Sequence, residues 1–238
     1  MLVLLTAPKP SMPPPSDDPA RFDEAIASFR SRVPISDEDY EELSRRNQRQ
    51  AFHVAGATSL DVVDSVWDAL DAAIAEGTSF DDFKDAVAEK LFREWGRIDP
   101  TRLEVIFRTN VQTAYNQGRL AQMRDKDVLE ARPYWRYNAI MDRGTCPICG
   151  GFDGLVLPAD DKIWSGAWPP LHHQCRCRID PLTDEQAHAH GIDESAPEGL
   201  AADDGFGEAS EGAIWRPDLS RYPKPLREAY ERKFGSSE

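Results

Sequence analysis

The sequence predicts an α+β protein: an N-terminal helical bundle, then a small β-rich Cys/His knuckle module, then a flexible C-terminal tail. Three observations carry this. Apolar residues recur at helical spacing from Ala20 to about Asp125. Past Arg132 the text becomes aromatic and alternating, as in strands. All four cysteines of the 238-residue chain lie between Asp142 and Asp180. The expected divisions are a disordered proline-rich arm at 1–19, a helical domain at 20–130, a β-rich Cys/His module at 131–182, and an acidic linker with a docking tail at 183–238.

The arm carries Pro8, Pro10, Pro13, Pro14, Pro15 and Pro19, which forbid helix or sheet interior. Helical text then begins with Phe22, Ile26 and Phe29. Ser36 with Asp39 has the form of a capping box before Tyr40 and Leu43. Thr58 with Asp61 is expected to cap the next helix, whose stripe is Leu60, Val63, Trp67, Leu70 and Ile74. Gly77 ends that helix as a left-handed cap. Ser79 with Asp82 opens another, with Phe83, Val87 and Leu91 on one face, and Gly96 stops it. Asp99-Pro100 is an N-cap with proline in the first turn, and the longest helix follows. Short connections make the whole a bundle of adjacent antiparallel helices.

The long helix has a polar set: Arg108, Thr109, Asn110, Gln112, Tyr115, Asn116 and Arg119. Arg108, Gln112, Tyr115 and Arg119 share one face by spacing. Such a face is either solvated or a polar network that orders the helix against the next module. Strands are expected at Pro133–Ile140, Leu155–Leu157 and Arg176–Ile179, with Trp164 and Trp168 packed on the base of the module.

Cys146-Pro-Ile-Cys149 places two thiols on one turn, and Cys175-Arg-Cys177 places two on one side of an extended segment. His172, three residues before Cys175, is a competing ligand. Three readings stay open: a closed structural zinc site, a pair of disulfides, or buried free thiols. A thioredoxin-type role fits less well, because those motifs open a helix and Gly150-Gly151-Phe152-Asp153-Gly154 reads as a turn. Thr183 with Gln186 starts a short helix ended by Gly191, and His188 and His190 are expected to be exposed. From Asp184 to Glu211 the chain has acidic residues but neither Lys nor Arg, so 192–211 is expected to be mobile. Order is expected to return at Trp215-Arg216-Pro217-Asp218-Leu219, as a docking peptide or a tail folded back on its own domain, and Pro225–Phe234 reads as a last helix.

Charged residues make up 29% of the chain and its net charge is -14. Such a chain is a poor general nucleic-acid binder, since the phosphate term needs Lys and Arg. No run of about 18 apolar residues is present, so no membrane span is expected. Met1–Leu5 is apolar but lacks a basic flank and runs into Pro8, so it does not read as a signal peptide, and the cytosol is the expected compartment.

Three segments together resemble the phage Mu F-like head-morphogenesis family. They are Phe107-Arg108-Thr109-Asn110 with Ala114-Tyr115-Asn116-Gln117-Gly118-Arg119, the strand Pro133–Tyr137, and the knuckle ending Pro169-Pro170 and Cys175-Arg176-Cys177. The tail Trp215–Leu219 with Tyr222-Pro223 is similar to the Mu branch. The chain departs from part of that branch in carrying a C-x-x-C where a His stands, which supports a ligand role for Cys149. The resemblance implies a non-enzymatic minor head protein in procapsid and head morphogenesis, associated with the portal and linked to DNA packaging or ejection. Its partners would be the portal protein and the major capsid or scaffold protein. Its place would be the virion, inside the capsid near the portal, with the host cytoplasm during assembly. The metal set then expected is Cys146, Cys149, Cys175, Cys177 and His172, holding a structural zinc. Two other classes compete: a metal-dependent hydrolase or nuclease with Asp142 or Asp153 as base, and a DNA-binding zinc knuckle using Arg143, Arg176 and Arg178.

Overall fold

The computed structural model describes residues 22–43, 48 and 51–209, with isolated positions at 220, 224, 227, 228, 231 and 232. The proline-rich arm and the tail peptide at Trp215 lie outside the described residues, as does most of the helix expected at Pro225–Phe234. Among the described residues the architecture is α+β.

The first unit is built from α1 (Asp23–Arg30), α2 (Asp37–Glu41), α3 (Leu60–Glu76), α4 (Phe80–Trp95) and α5 (Pro100–Met123). The expected stripes face one core. Ile26, Phe29, Val63, Trp67, Leu70, Phe83, Val87, Leu91 and Leu103 are all buried there. Trp67 stacks on Phe29 with ring centroids 5.2 Å apart. Each such side chain removed from water contributes about 1.5–3 kcal/mol.

Helix ends follow the caps that the sequence announces. Ser36 accepts the Asp39 N–H. Ser79 and Asp82 form a full capping box, and Gly77 and Gly96 take left-handed C-caps at φ 73° and 68°. Asp99 accepts the N–H groups of Thr101 and Arg102 ahead of Pro100. One cap differs. Asp61 does not serve the start of α3. Ser59 occupies the N-cap without a side-chain bond. Glu94, from the end of α4, takes the N–H groups of Thr58 and Ser59 at 2.8 and 3.1 Å. A carboxylate at a helix N-terminus also opposes the helix dipole, so a tertiary contact does the work expected of a local one.

The region is also not wholly helical. Two-residue strands β1 (Val33–Pro34) and β2 (Ala51–Phe52) pair in parallel. Contact between α1 and α5 is close enough to require glycine. A Cβ on Gly118 would lie 2.5 Å from the Ala25 nitrogen.

A short helix, α6 (Lys126–Ala131), follows on an Asp125 cap. The module is a three-stranded antiparallel sheet in the order β4-β3-β5, with β3 (Tyr134–Asn138) central, β4 (Val156–Pro158) and β5 (Arg178–Leu182). The third strand starts later than the expected Arg176, because the Cys177 carbonyl is engaged by α5 instead of the ladder. The first ends before Ile140, because the Ala139 N–H turns to Asp153 Oδ1 at 2.9 Å. Trp135, Trp164 and Trp168 form the base, with Trp135 5.9 and 5.4 Å from the other two rings. Trp164 Nε1 donates to the Pro158 carbonyl at 2.8 Å.

Helix α7 (Pro147–Phe152) occupies the stretch expected to be a glycine turn. Gly151 serves packing: a Cβ there would lie 2.4 Å from Leu200 Cδ1. Helix α8 (Asp184–His190) has the expected Thr183–Gln186 box, and His188 and His190 are exposed. The acidic stretch beyond it does not stand away from the module as a mobile linker would. Asp193 N–H bonds the Val156 carbonyl, Asp203 N–H that of Leu171, and Trp168 N–H that of Gly207. Residues 192–209 form a strap over the module, held by backbone bonds that net charge does not report.

Candidate metal centre

The centre is assembled from three chain segments. Cys146 is the N-cap of α7, and its Sγ accepts the Cys149 N–H at 3.3 Å. Pro147 in the first turn fixes the helical start. The second segment is the turn that carries His172, where the Cys175 N–H bonds the His172 carbonyl at 3.2 Å. Gln174 there has φ 58°, a left-handed conformation disfavoured for residues with a Cβ. Its N–H is held by Thr109 Oγ1 of α5 at 3.1 Å. The third segment is Cys175-Arg176-Cys177, leading into β5.

All five expected ligands come together. They form two triplets that share Cys149. Cys146, Cys149 and His172 have ligand atoms within 4.8 Å of one another, as do Cys149, Cys175 and Cys177. His172 Nε2 is 3.2 Å from both Cys146 Sγ and Cys149 Sγ, and Cys149 Sγ is 3.8 Å from Cys175 Sγ. A tetrahedron with metal–sulfur bonds of about 2.3 Å has sulfur–sulfur edges of about 3.8 Å. His172 is thus in direct contact with the C-x-x-C pair. The imidazole is fixed by its other nitrogen, Nδ1, 2.7 Å from the His173 carbonyl. Cys149, Cys175 and Cys177 are buried, while Cys146 and His172 sit at the solvent side. No disulfide joins any two of the four cysteines in the structure.

The electrostatics are compatible with a cation. The adjacent Cys175 and Cys177 sulfurs, and then burial, push the Cys149 thiol up. Cys175, hydrogen-bonded by Cys149 and then by Cys177, is pulled down. Three sulfurs this close cannot all ionise against one another, and a bound cation removes the penalty. Burial, followed by the Cys177 sulfur, raises the Tyr137 phenol, whose hydroxyl is 3.8 Å from Cys149 Sγ. A soft donor set of thiols and one imidazole matches zinc chemistry. The group therefore can hold a metal ion.

The surroundings lock the ligands to each other and to the first unit. Asp142 and Arg176 form a two-point ion pair at 2.6 and 2.7 Å. The Arg176 guanidinium, with the Gly144 N–H, holds the Asp142 carboxyl down at about 2. Gln112 Nε2 and Asn116 Nδ2 both donate to the Cys177 carbonyl at 3.1 Å. Arg119 donates to the Ile179 carbonyl and Asp180 Oδ1 at 2.9 and 3.1 Å. Trp168 Nε1 donates to the Asn116 carbonyl at 3.2 Å. The polar face of α5 is thus a network for Gln112 and Arg119. Of its other two members, Arg108 pairs with Glu104 on its own helix and Tyr115 packs on Phe22. Asn116, Tyr137 and Asp142 as supports escape spacing arguments; the sequence signal was only an amide-rich helix and an aspartate beside a turn.

Neither carboxylate proposed as a catalytic base stands ready for one. Asp142 is held as described, and Asp153 Oδ1 accepts the Ala139 N–H. Of the three arginines that would favour DNA, Arg176 and Arg178 are paired with Asp142 and Asp180. Among the described residues, no helix is long and apolar enough to cross a membrane.

Fold and site together define a class: a helical scaffold whose longest helix is hydrogen-bonded onto a small thiol–imidazole module. The sequence model of the family described as "Phage Mu protein F like protein" matches residues 64–180, which include α5 and all five ligands. "Putative capsid assembly protein F" of Escherichia phage Mu is 34% identical over 178 residues, covering 67% of this chain and 40% of that protein. "Mu-like prophage FluMu F protein" of Haemophilus influenzae is 34% identical over 174 residues, covering 67% of this chain and 41% of that protein. The chain belongs to the Mu F-like family. It spans about two fifths of the length of these curated relatives. No solved structure matches it.

Proposed function

We propose that this protein acts in phage head assembly as a minor head component that engages the portal protein from inside the capsid, and that its module is folded around one structural zinc. Cys146, Cys149, Cys175 and His172 or Cys177 would fill the four positions, so the site is closed and serves no reaction. The observation that carries the metal part is the convergence of five soft ligand atoms about Cys149. The assembly part is supported by the relative named a capsid assembly protein, whose similarity spans 67% of this chain. Metal binding would contribute directly to folding of the module, because an unfolded chain holds no such site. In turn the module would keep α5 in register through Gln112, Asn116 and Arg119. A role in DNA packaging or ejection would follow from a place at the portal, without base chemistry of its own.

The test is co-sedimentation of the full chain with purified portal protein and with the major capsid or scaffold protein. Binding to the portal that is lost in Cys146→Ser, with the helices still folded, is the expected result. Absence of binding to every head protein would remove the assembly reading. Release of nucleotides from DNA by the metal-loaded chain would favour a hydrolase instead.

A further inference from the structure

Not all of the polar set on α5 is spent on the module. Gln112, Asn116 and Arg119 hold it, whereas Asn110, with Thr113 and Gln117 beside it on the helix, lines the floor of a cleft of about 790 Å³ between the two units, where Gln117 also donates to the Glu208 carbonyl at 3.1 Å. One wall is Tyr40 with residues 51–55, and the other is Trp168, Pro170 and residues 204–208. The floor positions are i, i+3 and i+7, so they run about 10 Å along the helix. That is the length of about three extended residues.

Arg32 points to what the cleft takes. It lines the cleft and is partly buried. Its hydrogen bond among the described residues is to Asn110 Oδ1, a long 3.4 Å, and no carboxylate pairs with it there. Burial pulls its guanidinium down to about 10, and a cation withdrawn from water without a counter-charge is costly. The other basic groups of the cleft on that side are committed. His53 is paired with Asp37 at 3.0 Å. Arg102 donates to the Ala55 carbonyl and lies over the Trp95 ring. With Arg32 as its uncommitted cation among the described residues, this side of the cleft suits one carboxylate better than a repeating polyanion such as a nucleic-acid backbone, which draws on several basic groups. Ile106 and Phe206, both partly exposed, give the cleft apolar surface.

We propose that this cleft receives an extended peptide segment of another polypeptide, one that carries a single carboxylate among apolar residues and seats it on Arg32. A carboxylate there would make a charge-assisted bond to a planar fork of donors. Its apolar neighbours would cover Ile106 and Phe206. This docking mode is independent of the metal.

The probe is a set of short capped peptides, each with one aspartate at a different place among leucine, phenylalanine and alanine. Fluorescence anisotropy on the full chain reads the binding. At least one peptide should saturate the protein. Replacing its aspartate by asparagine, or Arg32→Gln in the protein, should weaken binding by about tenfold or more, with Arg32→Lys intermediate. Circular dichroism checks that the variants fold; if Arg32→Gln does not, the aspartate and asparagine peptides on the unaltered chain decide. The proposal fails if no peptide saturates the protein, or if the asparagine peptide binds equally well. It also fails if binding appears only once residues 210–238 are removed, which would mean the cleft is filled in cis. Equal competition by a single-stranded oligonucleotide would overturn it in favour of phosphate.

Discussion

Asp142 and Arg176 stand 34 residues apart in the chain and meet in a two-point ion pair at 2.6 and 2.7 Å. One precedes the C-x-x-C and the other lies inside the C-x-C, so the pair clamps together the two halves of the metal centre. It is an exposed pair, and exposed pairs contribute little to stability. Asp142→Asn should therefore leave the fold intact and speed loss of metal to a chelator by about fivefold or less. Loss measured with a chromogenic chelator at equal rates in both proteins would show that the clamp is ornamental.

Gly118→Ala separates a close helix contact from ordinary helix propensity. In an open helix that change stabilises by about 1 kcal/mol. Here the new Cβ would lie 2.5 Å from backbone of Ala25. The expected result is a loss of about 1–3 kcal/mol in urea unfolding. A gain in stability would mean that α1 does not pack on α5 as described.

Trp67→Ala removes a ring that is 4% exposed and stacked on Phe29. It should cost about 3–5 kcal/mol. A loss below about 1 kcal/mol in denaturant unfolding would place the ring at the surface.

These helices were legible from the sequence because the information is local. The stripe through Trp67 and the caps at Ser36, Ser79 and Asp99 are set by residues a few positions apart. Glu94 was not legible as the cap of α3, because it arrives from another helix. The candidate metal ligands were legible as residue types. Which of them share an ion is a matter of how far α7 and the His172 turn approach, and spacing does not contain that. Composition misled at 192–209, where backbone bonds to Val156 and Leu171 hold an acidic, glycine-rich strap. It misled again at Gly151, where the absence of a side chain serves packing against Leu200 rather than a turn.

His53 gives the first unit a pH dependence. Burial lowers its folded-state value below the ordinary 6.5, against the opposing effect of Asp37. The unfolded chain then binds more protons, so stability is full above about 6.5 and falls as pH drops through the folded value. Thermal melting should show the first unit less stable at about pH 5 than at about pH 7.5, and His53→Gln should flatten that slope. A slope of opposite sign would mean that the Asp37 pair outweighs burial.

If the module is built around one metal ion, elemental analysis of the native protein, purified under reducing conditions without added metal, will find one zinc per chain. That zinc should be lost in Cys149→Ser, and a chelator should change the near-ultraviolet signal of Trp135, Trp164 and Trp168 while the helices persist. Less than one metal per chain, together with no response to the chelator and a module loosened by reductant alone, would contradict it and make the cysteines disulfides.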